Sequence, residues 1–228
     1  MCEGQITGLQ AGHEWRFCYA PTQNQIRTPP PSDKSTVLES ASALRPKELT
    51  LSPSELARCE TISEKIDALR EFLSDNALVK LINAREWVTY LASLRDILGN
   101  VSNDIGFVAT LLVKGYLEQR FAITNFDASS KPQGASGIDI EATAGDGSSI
   151  HGELKTNKPV QARFGGEQRK RMLNDLARLA ASRADYRFMF VADAETYRIF
   201  STGGFPARAP GVELLNLLTG DSFVFPGG

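Results

Sequence analysis

Between Gly137 and Thr156 the chain alternates strictly. Ile138, Ile140, Ala142, Ile150, Gly152 and Leu154 are apolar or small, while Asp139, Glu141, Thr143, Ser149, His151, Glu153 and Lys155 are polar. A period of two is the pattern of a half-buried strand, and the intervening Gly145-Asp146-Gly147 predicts a hairpin. Register then decides the chemistry. A two-residue turn at Asp146-Gly147 would send Asp139 to the face opposite Glu153. A three-residue loop with Gly147 in the left-handed conformation pairs Ala144 with Ser148 and Asp139 with Glu153. Only this second register keeps both apolar sets on one side, so Asp139, Glu153 and Lys155 are expected to converge on one polar face.

The surrounding pattern frames this hairpin. Residues 1–47 mix Gly, Gln, Thr, Ser and Pro without sustained periodicity and read as a flexible N-terminal arm, although Trp15, Phe17 and Tyr19 alternate as a short strand would. Residues 48–100 form a helical region suited to DNA binding, dimerisation or partner contact. Its first helix, about 53–74, starts with Ser52 as N-cap, Pro53 at the first helical position and Glu55 closing a capping box. A second helical stretch, 77–98, ends at Gly99-Asn100. A third helix is expected over about 103–120, then strands at 122–127, 137–143 and 149–156, a long helix after Gly165-Gly166, a strand at 186–192, a short helix near 194–201 and a final strand around 212–217. The order α-β-β-β-α-β predicts an α/β fold with a mixed sheet flanked by helices over residues 101–228.

Composition narrows the chemistry. The 228 residues carry 25 Lys and Arg against 27 Asp and Glu, with 42% hydrophobic content, which fits a soluble, weakly acidic protein able to bury a core. No apolar run approaches the roughly 18–20 residues of a membrane span. The start Met-Cys-Glu-Gly lacks a secretory signal, so a cytoplasmic protein is expected. With only Cys2, Cys18, Cys59, His13 and His151, zinc fingers and Cys/His nucleophile systems are poorly supplied. A net charge of −2 argues against a passive nucleic-acid coat. Two converging carboxylates raise each other's pKa unless a cation sits between them. Their oxygen-only ligation suits Mg²⁺, with Mn²⁺ as a substitute. A lysine beside such a metal can orient or deprotonate an attacking water and offset charge on a phosphorane-like transition state.

Asp139 followed by Glu153-Leu154-Lys155 on the next strand resembles the signature of the PD-(D/E)xK nuclease superfamily, the restriction-endonuclease-like enzymes, and the α-β-β-β-α-β order is similar to that family's core. The resemblance covers about residues 103–228. It implies that Asp139 and Glu153 bind a divalent metal and that Lys155 serves catalysis. One departure is Ile138 where the family's motif has Pro. Family members often place an acidic residue on the first core helix, which points to Glu118 as a further metal ligand. Gln168 extends the stripe of Met172, Leu176 and Leu179 by one turn, in the manner of relatives resembling DNA-junction resolvases, and joins the candidate catalytic set. His151 reads as a polar neighbour rather than a ligand.

Basic residues cluster beside this motif. Lys155, Lys158, Arg163, Arg169, Lys170, Arg171, Arg178, Arg183 and Arg187 outnumber Glu153, Glu167, Asp175 and Asp185 over the same stretch. The loop 129–137 adds Lys131 and Gln133. Local positive charge next to a metal site is what phosphate positioning requires. The expected function is a Mg²⁺-dependent DNA endonuclease, restriction-like or repair-like, with RNA left open as a substrate and a homodimer or membership of a defence system left open as its assembly. The alternative is a catalytically silent module of the same fold that holds nucleic acid or a partner.

Overall fold

Ser52, Pro53 and Glu55 start the first helix as their order predicts. The Ser52 hydroxyl caps the Glu55 N–H at 3.2 Å, and the Glu55 carboxylate accepts from the Ser52 N–H at 2.8 Å. This helix, α1, runs Pro53–Asp75 and packs on α2, Ala84–Leu98, with the Phe72 and Tyr90 rings 5.1 Å apart. Helix α3 spans Val101–Phe121. The computed structural model describes residues 49–76, 83–131, 135–159, 165–202 and 204–227. The expected arm, the start of the second helical stretch, Gln133 and Arg163 fall outside them.

After α3 come β1 (Ile140–Thr143), β2 (Ser149–Lys155), α4 (Gly166–Ala181), β3 (Tyr186–Val191), α5 (Ala194–Thr202), a short 3₁₀ turn at Pro206–Arg208, β4 (Glu213–Asn216) and β5 (Ser222–Val224). The five strands lie in the order β1-β2-β3-β4-β5. The outer pairs are antiparallel, and β2, β3 and β4 are parallel. The fold is thus mixed α/β with a five-stranded mixed sheet, and Leu51–Gly228 forms one compact unit.

Two corrections to the expected strands follow. Residues 122–127 form no strand, because Ala122 and Asn125 take left-handed backbone angles (φ 49° and 65°) that break the pleat. Asp127 instead closes a turn, accepting from the Ser129 N–H at 2.7 Å. The expected α-β-β-β-α-β order therefore lacks its first strand here. The sheet also gains β5, a three-residue exposed edge strand that pairs with β4 after a tight turn.

Alternation along the strands divides the core. Ile140, Ile150, Phe188, Phe190 and Leu215 pack toward Ala109, Val113 and Leu117 of α3. Met189, Val191 and Leu214 pack toward Met172, Leu176 and Leu179 of α4 and toward Ile199 and Phe200 of α5. Gly152 is needed where β2 meets β3, since a Cβ there would stand 2.6 Å from the Phe190 ring.

Candidate active site

The hairpin takes the expected register. Ile140 pairs with Gly152 and Thr143 with Ser149. The Ala144 N–H donates to the Ser148 carbonyl at 2.8 Å, and Gly147 sits at φ 90°. Asp139 thus stands opposite Glu153, one step beyond the Ile140–Gly152 pair of the ladder.

The face they share is closed over Glu153 and opens at Asp139. Glu153 pairs with Met189 and Lys155 with Val191, and α4 covers that side of the sheet. Glu153 is fully buried as a result. Lys155 Nζ lies 3.6 Å from Asp139 Oδ2, 3.4 Å from Glu153 Oε2 and 2.9 Å from Asp175 Oδ2. Arg178 closes the far side, with Nη2 3.1 Å from Glu153 Oε1 and a hydrogen bond to Asp175. Asp139 is itself fixed, accepting from the Leu154 N–H at 3.0 Å.

Three carboxylates therefore share two cations, an excess of negative charge in a partly desolvated place. Burial, and after it the neighbouring Asp139, pushes the Glu153 carboxyl up to about 7. Burial pulls the Lys155 ammonium down, but Asp139, Asp175 and Glu153 outweigh it, and its pKa is raised overall. Lys155 is therefore charged at neutral pH. It suits the orienting and charge-offsetting role and not that of a base.

Asp175 and Arg178 were hidden in the sequence among the solvated positions of an amphipathic helix. The signal was present, because Asp175 falls on the same stripe as Met172 and Leu179, three and four residues away. Glu118 does not join the cluster. Helix α3 ends at Phe121, whose carbonyl accepts from the Gly145 N–H at 2.9 Å, so Glu118 lies toward the hairpin turn, at the other end of β1 and β2. Gln168, in the first turn of α4, donates its amide to the Lys158 carbonyl at 3.1 Å and so lines the segment leaving β2. His151 Nδ1 and Ser182 Oγ share a 2.6 Å hydrogen bond beside the α4 C-terminus.

A cleft of about 570 Å³ opens beside the cluster, lined by Gly106 and Thr110 of α3, by residues of the 125–131 loop, and by Asp139, Lys155 and Asn157. Its wall is firmly built. Glu55, fully buried, accepts from the Ala128 N–H at 2.7 Å and from Lys114 Nζ at 2.6 Å. Ser52 and Ser54 donate to Asp127 at 2.8 and 2.7 Å. Burial opposes the Asp127 charge, but the hydrogen bonds from Ser129, Ser54 and Ser52 hold its carboxyl well below the usual range. Lys131 donates to the Ile138 carbonyl and pins the loop to the start of β1. Of the basic run, Arg178 is committed to the cluster, Arg187 to the Ala180 and Pro210 carbonyls, and Arg169 to the face of Phe205. Lys158, Lys170, Arg171 and Arg183 remain exposed.

Among the described residues no group of three or more His, Cys, Asp or Glu is arranged to hold a metal. Asp139 and Glu153 do fit the more open habit of Mg²⁺, which takes one or two protein carboxylates and keeps waters for a substrate phosphate. Their convergence, with Glu153 pushed toward its neutral form, is the state that a cation between them would relieve. No helix among the described residues is long and apolar enough to cross a membrane. No protein-family model, curated protein or solved structure matches the chain.

Proposed function

We propose that the chain is a divalent-metal-dependent endonuclease that hydrolyses DNA phosphodiester bonds in the cytoplasm, in a restriction-like or repair-like role. One observation carries this reading: the hairpin register brings Asp139 and Glu153 together across two strands, with the Lys155 ammonium within 3.6 Å of both. Asp139 and Glu153 would hold Mg²⁺ or Mn²⁺. When bound, the ion supplies Lewis-acid polarisation of a phosphoryl oxygen and a more acidic water.

The protein's own groups do the rest. Lys155, charged and anchored by Asp175, offsets negative charge that grows on the non-bridging phosphate oxygens as water attacks phosphorus and the P–O bond to the leaving oxygen breaks. Arg178 keeps Glu153 in place from behind. Exposed Lys158, Lys170 and Arg171 supply positive charge for the flanking phosphates.

A second reading, a silent module that holds nucleic acid or a protein partner, draws on the burial of Glu153 and its engagement by Arg178. Incubating supercoiled and linear DNA with the protein and Mg²⁺ or Mn²⁺, beside Asp139→Ala, Glu153→Ala and Lys155→Ala, separates the two. Cleavage by the parent that is lost in the variants is the expected result. Cleavage surviving in all three variants sinks the assignment, and binding without cleavage in the parent selects the silent module. Branched DNA, modified DNA and RNA belong in the same panel.

A further inference from the structure

The cleft beside Lys155 has more chemistry than phosphate binding requires. At about 570 Å³ it falls within the roughly 300–1,000 Å³ of pockets that enclose a small organic group. Its lining joins Phe126, half-buried, to Asn125 and Asn157, both exposed. The side-chain amides of Asn125 and Asn157 have no hydrogen-bond partner among the described residues, whereas the Ser52, Ser54 and Ser129 hydroxyls and the Asp127 and Glu55 carboxylates are engaged in fixing the wall. A carboxamide offers one acceptor and two donors, the complement of the edge of an unpaired base. An aromatic ring offers the face on which such a base stacks.

The wall is also organised in advance. Asp127, Ala128 and Lys131, which flank Phe126 on its C-terminal side, are each held by hydrogen bonds to α1, to their own turn or to the start of β1. A surface loop so constrained has little ordering entropy left to lose on binding.

We propose that this cleft takes one unstacked nucleobase of the strand to be cut, its ring against Phe126, its edge toward Asn125 and Asn157, and its phosphate toward Lys155. The proposal rests on the nuclease reading and narrows its substrate class to strands with an unpaired or readily flipped base. Expelling a base from an intact duplex costs a few kcal/mol. Single strands and one-nucleotide bulges escape most of that cost.

The test is binding of the full chain in EDTA, by fluorescence anisotropy, to a labelled single strand, a duplex with a one-nucleotide bulge and the intact duplex. The single strand and bulge should bind about ten-fold or more tightly than the intact duplex. Phe126→Ala should erase most of that preference and Phe126→Tyr should keep it. Circular dichroism checks that Phe126→Ala still folds. The exposed Asn157→Ala, which removes no internal hydrogen bond, supplies a second probe and should change the ranking among the four homopolymeric single strands. Equal affinity for the intact duplex overturns the proposal, as does an unchanged profile in both Phe126→Ala and Asn157→Ala. A parent that shows the preference but cuts nothing with Mg²⁺ keeps the pocket and sinks hydrolysis. One that cuts intact duplex without preference keeps hydrolysis and sinks the pocket.

Discussion

Among the described residues, two buried glutamates each pair with a lysine, and the two pairs are built on opposite plans. Glu55 and Lys114 meet at 2.6 Å with side chains 0% and 6% exposed. Both Glu55 oxygens are satisfied, one by Lys114 and the Ser52 N–H, the other by the Ala128 N–H. Glu153 and Lys155 lie 3.4 Å apart, and Lys155 is divided among three carboxylates at the edge of a cleft. The first pair is matched in charge and saturated in hydrogen bonds, so it offers nothing to a ligand. The second is acidic beyond its cations, so it invites one. Burial of a charge thus does not mark a site, whereas burial with an unbalanced charge count does.

The sharpest break of this comparison is Glu55→Ala. It strands the Lys114 ammonium inside the protein and should cost about 3–5 kcal/mol in denaturant unfolding. A loss below about 1 kcal/mol would place the two pairs in the same class. Glu153→Gln should do the reverse, lowering hydrolysis on the order of 100-fold or more while leaving the thermal midpoint unchanged or higher, because it removes repulsion from Asp139.

The pH dependence sharpens the same contrast. The Glu153 carboxyl is raised from the usual 4.5 to about 7, so between those values the folded metal-free chain binds more protons than the unfolded chain. Its contribution to stability is present below pH 4.5 and is lost as pH rises toward 7. Unfolding curves of the parent should show this decline, Glu153→Gln should flatten it, and Mg²⁺ should raise the melting temperature more at pH 8 than at pH 5. The smallest effect belongs to Ser52→Ala, which removes a helix cap and one bond to Asp127 and should cost about 0.5–2 kcal/mol by the same unfolding assay.

What the sequence makes legible here is what has a short period. The Asp139–Glu153 register followed from parity and one glycine, and the α1 cap from four consecutive residues. The stretch 122–127 misled because its composition suits a strand while two left-handed residues, visible only in the backbone, forbid one. Asp175 and Arg178 stand in the sequence only as members of a charged run, because an i, i+3 acid–base pair on a helix is ordinarily solvated. Only the packing of α4 onto β2 buries Asp175 and brings the Arg178 guanidinium to Glu153. Glu55 was readable as a cap but not as a buried charge, since its partners Lys114 and Ala128 lie 59 and 73 residues away.

That distance has a kinetic consequence. Contacts that close loops of this length are entropically expensive and weigh against rapid formation, whereas the β1–β2 hairpin closes only a three-residue loop. Refolding should therefore restore the β1–β2 hairpin before it restores the wall that Glu55 holds. On the proposed nuclease reading, oligonucleotide binding in the cleft would return only with the docking of α1, a helix that carries none of the proposed metal ligands.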